Sequence, residues 1–167
     1  MASLRSFAKL SLVLLLALLV APFCGAISAH KDQEASVHPL ITSAYYADLD
    51  GDGLFDDAVI EGVIHFYGEE IEEIEAMVKL ILATPSDKHY TFVGFIEDYE
   101  LDEETDSVTI WYAFYCYNVV DSPGYYCATV AVWWFNDPTA YGVSNPFWFD
   151  PPTGWSNGPP GATFVYE

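Results

Sequence analysis

Apolar side chains recur along most of this chain with a period of two, the spacing that places them on one face of a β-strand. Leu40 to Ala47 and Ala58 to Tyr67 read as the first two strands, the second rich in β-branched Val59, Ile60, Val63 and Ile64. Residues 69–83 carry two patterns at once. Ile71, Ile74, Val78, Ile81 and Leu82 fall at helical spacing, on a background of Glu, Ala, Met, Lys and Leu that favours helix. Ile74, Ala76, Val78, Leu80 and Leu82 also alternate, as a half-buried strand requires. Thr84-Pro85-Ser86-Asp87 is turn chemistry and Tyr90 to Ile96 beyond it is strand-like, so a hairpin is the more economical reading and a helix the alternative.

Residues 97–106 are dominated by carboxylates and read as an acidic turn region. The clearest hairpin sets Val108 to Asn118 against Tyr125 to Phe135 around Asp121-Ser122-Pro123-Gly124. From Asn136 onward prolines interrupt the chain repeatedly, leaving Phe147-Trp148-Phe149 as a short edge strand and Ala162 to Tyr166 as a last one. That terminal segment can dock on its own sheet or extend a neighbouring one. The predicted fold is all-β, a single antiparallel β-sandwich of immunoglobulin-like type with about seven strands. The chain has no internal repeat.

Between the first two strands lies Asp48-Leu49-Asp50-Gly51-Asp52-Gly53-Leu54-Phe55-Asp56-Asp57. Short carboxylate side chains at alternate positions of a curled loop converge on one point, and a glycine supplies the positive φ of the sharp turn. Ca²⁺ takes about six to eight oxygens, which four carboxylates, one backbone carbonyl and water provide. An EF-hand would place a Glu where Val59 stands and continue as a helix; here a strand follows.

The segment instead resembles the strand-flanked Asp-x-Asp-Gly-Asp-Gly-x-x-Asp calcium loops of FG-GAP and VCBS repeats, and more loosely those of dockerins and thrombospondin type 3 repeats. The resemblance implies side-chain ligands at Asp48, Asp50, Asp52 and Asp56, a backbone ligand at Leu54 and a further carboxylate at Asp57. It covers about a dozen residues in one copy, so neither a propeller nor a dockerin follows.

Charge narrows the partners. Arg5 and Lys9 precede the apolar run Leu10 to Ala21, and Cys24-Gly25-Ala26 offers a small-x-small cleavage site, with Ala29 as a later one. Residues 1–26 thus read as a secretory signal, 27–39 as a flexible lead-in and 40–167 as one domain. Its removal leaves Lys31, Lys79 and Lys88 against 25 acidic residues, a net charge of −22. Nucleic acid and anionic lipid would repel such a chain, whereas cations would be drawn to it. The expected location is the cell exterior, with no membrane insertion once the signal is gone.

In that oxidising compartment Cys116 and Cys127, placed opposite one another by the predicted hairpin, are expected to form a disulfide. No catalytic residue is assigned and no enzyme is expected: the nucleophile-elbow and zinc-ligand spacings are missing. An exception would be cleavage after Ala29, which leaves His30 as first residue and able to chelate copper with His38, His65 or His89, as in histidine-brace oxidases. Adjacent Trp133 and Trp134 point to opposite faces of a strand, so one of them faces outward. The sequence therefore implies a secreted, calcium-binding β-sandwich with a structural or adhesive role, partnering calcium and, by strand addition, itself or a surface protein. A calcium-stabilised carbohydrate-binding module, with polysaccharide as partner, is the alternative, and a secreted enzyme the third reading.

Overall fold

A computed structural model describes residues 34–151, 156 and 158–167 of the chain. The expected signal, its cleavage sites, His30 and most of the lead-in lie outside the described residues. Within them the chain forms seven strands and no helix: β1 (Ser36–Ala47), β2 (Asp57–Ala83), β3 (His89–Tyr117), β4 (Tyr126–Trp134), β5 (Tyr141–Val143), β6 (Phe147–Phe149) and β7 (Gly161–Tyr166). They make one antiparallel sheet.

The sheet becomes two layers because β2 and β3 serve both. Residues 57–67 of β2 pair with β1 and with the second half of β3, whose other edge pairs with β7. Residues 76–83 of β2 pair with the first half of β3 and with β4, which carries β5 and β6 on its outer edge. Between the halves the register slips three times, at Tyr67/Ile71, Ile71/Glu73 and Ile74/Ala76, and Glu70 and Asp98 take positive φ. Bulges of this kind add twist and bend both strands of a pair together. The inner faces then meet. Trp134 of β4 lies edge-on to Phe66 of β2 with ring centroids 5.3 Å apart, while Phe164 of β7 packs at 4.8 Å on its register partner Phe114 within the first layer. Gly94 of β3 lies so close to the Phe164 ring that a Cβ there would come within 2.2 Å of it. Ile60, Ile64, Leu80, Leu82, Ile110, Val130 and Val132 complete the core.

One open reading is resolved and two expectations are revised. Residues 69–83 are strand throughout, as the alternation implies, because pairing on both edges of 76–83 overrides their helical propensity. The acidic stretch 97–106 is no turn but the bent middle of β3, with most of its carboxylates exposed. Finally, 108–118 and 125–135 do not pair with each other. Residues 118–125 cross from one layer to the other, with Val119 and Val120 buried and the Tyr126 hydroxyl accepting the Asp121 and Ser122 N–H groups at 3.0 and 3.1 Å. Cys116 therefore lies beside Ala58 and Ala162, Cys127 beside Ala83 and Trp148, and both are free thiols. The two short terminal strands do form, and β7 docks on β3 of its own sheet.

Burial pushes the Cys116 thiol up to about 12, so it is unreactive in the folded state. Alkylation without reductant should leave Cys116 unmodified in native protein. After unfolding both cysteines should be labelled, as peptide mass mapping would reveal; a Cys116–Cys127 cross-linked peptide is the contrary result.

At the crossing, Asp121 accepts hydrogen bonds from Lys88 and Tyr90. Burial pushes its carboxyl up, but the Lys88 ammonium and the Ser122 and Tyr90 hydroxyls outweigh this and hold it below the ordinary 3.8. A depressed folded pKa contributes stability above the ordinary value and loses it as pH falls through the depressed one. Lys88 is mostly exposed, so Asp121→Asn should destabilise by less than about 1 kcal/mol at pH 7. In urea titrations across pH, that difference should shrink below pH ~4.

Candidate metal centre

The connection from β1 to β2 spans nine residues, and Ala47 and Asp57 are the last pair before it opens. Its path is set by carboxylates gripping the loop's own backbone. Asp48 Oδ1 accepts the Gly51 N–H at 2.8 Å and Oδ2 the Gly53 N–H at 3.1 Å. Asp50 Oδ1 takes the Asp52 N–H at 3.2 Å, and Asp52 Oδ1 the Leu54 N–H at 2.8 Å. These are Asx turns in series, each reversing the chain within a few residues. Gly51 and Gly53 complete the curl with φ of 77° and 87°, a region costly for residues with a Cβ.

The curl brings one carboxylate oxygen each from Asp48, Asp50 and Asp52 within 4.8 Å of one another. This cluster can hold a metal ion. It faces solvent, with Asp50 and Asp52 exposed and Asp48 half-buried.

The remaining sequence candidates divide. Asp57 is fully buried and its oxygens are occupied: Oδ2 accepts the Leu49 and Asp50 N–H groups at 2.5 and 3.3 Å, and Oδ1 the Asn118 N–H at 2.8 Å. It is the brace that fixes the loop to the 118–120 crossing. Asp56 shares that attachment through its carbonyl, which accepts the Val119 and Val120 N–H groups at 3.0 and 2.8 Å. Its side chain is different. Asp56 is only 1 % exposed, and neither carboxylate oxygen has a hydrogen-bond partner among the described residues. Burial, and then the charges of Asp57, Asp52 and Asp50, push this carboxyl above the ordinary 3.8. Phe55 is exposed and meets Tyr46 edge-on at 6.1 Å, while Leu54 gives its N–H to Asp52.

A buried carboxylate without a partner is unfavourable by several kcal/mol unless it is protonated or meets a cation. Asp56 stands outside the group of three but feels the charge of two of its members, so a cation held by that group would lessen the repulsion on Asp56 as well. Asn118, which holds the brace 61 residues away in sequence, was not legible beforehand. Asparagine in a turn carries no signal of which distant carboxylate its backbone will meet.

The other sequence leads stay apart. His38 and His65 face each other across β1 and β2, and His65 Nδ1 lies 2.8 Å from Thr109 Oγ1. His89 opens β3. No third ligating side chain joins them among the described residues. Compared with known proteins, the chain matches no family model, no curated protein and no solved structure.

Replacing the brace tests the local account. Asp57→Ala leaves three backbone N–H groups without their acceptor and should cost about 3 kcal/mol in denaturant unfolding with chelator present. A loss under about 1 kcal/mol would mean that water replaces it.

Proposed function

We propose that the Asp48–Asp57 loop binds calcium as an integral part of the fold of an exported protein, whose role is structural or adhesive at the cell exterior. The observation that carries this reading is the buried, unpartnered Asp56 carboxylate beside the exposed Asp48, Asp50 and Asp52 cluster. Three solvent-facing carboxylates with a buried fourth nearby, all of them oxygen donors, suit a hard cation that accepts irregular geometry, which is calcium more than zinc or magnesium. In this assignment Asp48, Asp50, Asp52 and Asp56 supply side-chain oxygens and Leu54 its carbonyl. Asp57 is the brace and not a direct ligand. The resemblance to FG-GAP, VCBS and thrombospondin type 3 loops supports Asp48, Asp50, Asp52, Asp56 and Leu54 as ligands.

Such a site acts on the whole molecule through its position. The loop joins β1 to β2 and is fastened to the 118–120 crossing, so a cation there ties together the first hairpin and the passage between layers. Extracellular modules bind calcium with dissociation constants of about 10⁻⁴–10⁻³ M. Ten-fold excess calcium should then add about 1.4 kcal/mol to unfolding.

Asp50→Asn and Asp52→Asn should abolish that calcium-dependent gain in thermal melts. Asp56→Asn should abolish it too, yet leave the protein in chelator at least as stable as the wild type, because an uncompensated buried charge is gone. A calcium response that survives in all three variants refutes the ligand set. For the adhesive role, light scattering should register calcium-dependent association that chelator reverses; a monomer at all calcium concentrations refutes that part alone.

A further inference from the structure

On the outside of the second layer, the register aligns the outward residues of four adjacent strands. Phe95, Met77, Trp133 and Tyr141 form one row across β3, β2, β4 and β5, with the Trp133 and Tyr141 rings 4.9 Å apart. Val93, Lys79, Ala131 and Val143 form the row beside it. At the far end His89, Ala83, Cys127 and Trp148 are aligned. Phe95 is 47 % exposed, Tyr141 52 % and Trp148 63 %.

The composition of this face sets it apart from the rest of the chain. The protein has 25 acidic residues, yet none occupies an outward position of β2 from 77 to 83, β3 from 89 to 95, β4 from 127 to 133, or β5 or β6. Lys79 is the one residue there with a permanent charge. The carboxylates gather instead at the bend and in the metal loop. An apolar patch of this kind on an otherwise strongly charged molecule marks a binding surface.

Its size and charge select the occupant. Four strands by seven residues span about 20 Å by 20 Å, or about 400 Å². A stable protein interface needs about 800 Å² from each partner. A second copy is disfavoured further, because each chain carries a net charge of −20 and the copies repel. Ionic ligands find almost no counter-charge. What remains is a ligand that is extended, uncharged and flat enough to lie on rings while hydrogen-bonding at its edges. We infer that this face binds a neutral polysaccharide chain, with Tyr141 and Trp133 as one stacking platform and Trp148 as a second. The two are separated by six residues along β4, about 20 Å.

The test is affinity electrophoresis of the calcium-loaded protein in gels containing hydroxyethylcellulose, galactomannan or soluble starch. Retardation in at least one neutral polymer, but not in anionic alginate, is expected. Trp148→Ala combined with Tyr141→Ala should weaken it at least ten-fold. Both side chains are largely exposed, so an unchanged thermal melt should certify the fold. No retardation in any of the three polymers overturns the inference, as does equal retardation of the double variant. Self-association that the double variant abolishes would assign the face to a second copy. Binding to phosphatidylcholine vesicles lost in the same variant would assign it to a lipid surface. Asp50→Asn, which removes only the proposed calcium ligand, should retain the retardation when its melt shows it folded; thus the failure of either reading leaves the other standing.

Discussion

At the start of β2 two adjacent carboxylates are withdrawn from water, and the fold treats them in opposite ways. Asp57 is given three backbone N–H groups, two from the loop before it and one from Asn118. Among the described residues the Asp56 carboxylate is given none, although its backbone carbonyl is held by Val119 and Val120. The first arrangement fastens the loop to the rest of the molecule. The second leaves a buried carboxylate that a cation at the loop would stabilise. Both residues lie where β1 hands over to β2, and their contacts join that loop to the segment crossing between layers.

The two-layer form follows from length and interruption. Strands of 27 and 29 residues are too long to stay flat in a small domain, and the glutamates at 69–75 break the inward alternation where the bend is needed. The bulges there let β2 and β3 change layer without breaking their mutual pairing. One consequence is an acidic ridge on the outside of the bend, where like charges spread apart into solvent. Another is that the strands beyond the bend present a face with no carboxylate at all.

The distribution of charge and rings thus gives the molecule distinct regions: an acidic loop able to hold a cation, an acidic ridge, and an aromatic face without carboxylates. They sit on one continuous sheet. A cation at the loop would tie the first hairpin to the crossing, while the aromatic face lies on strands anchored by their own pairing and by the core around Trp134 and Phe66.

What the sequence determined by itself was local. Strand character, including the 69–83 segment, was legible because alternation is a property of neighbouring residues. The loop's curl was legible because Asp-rich turns with glycine are built from contacts within five residues, and Asp48, Asp50 and Asp52 converge as their spacing implies. The division of labour between Asp56 and Asp57 was not, since it depends on a crossing segment some 60 residues away. Nor was the separation of Cys116 from Cys127, because a turn sequence shows that the chain reverses but not which strand it meets afterwards. Those outcomes were decided by burial and pairing between remote segments, where the free energy of packing whole layers outweighs the preference of any single turn.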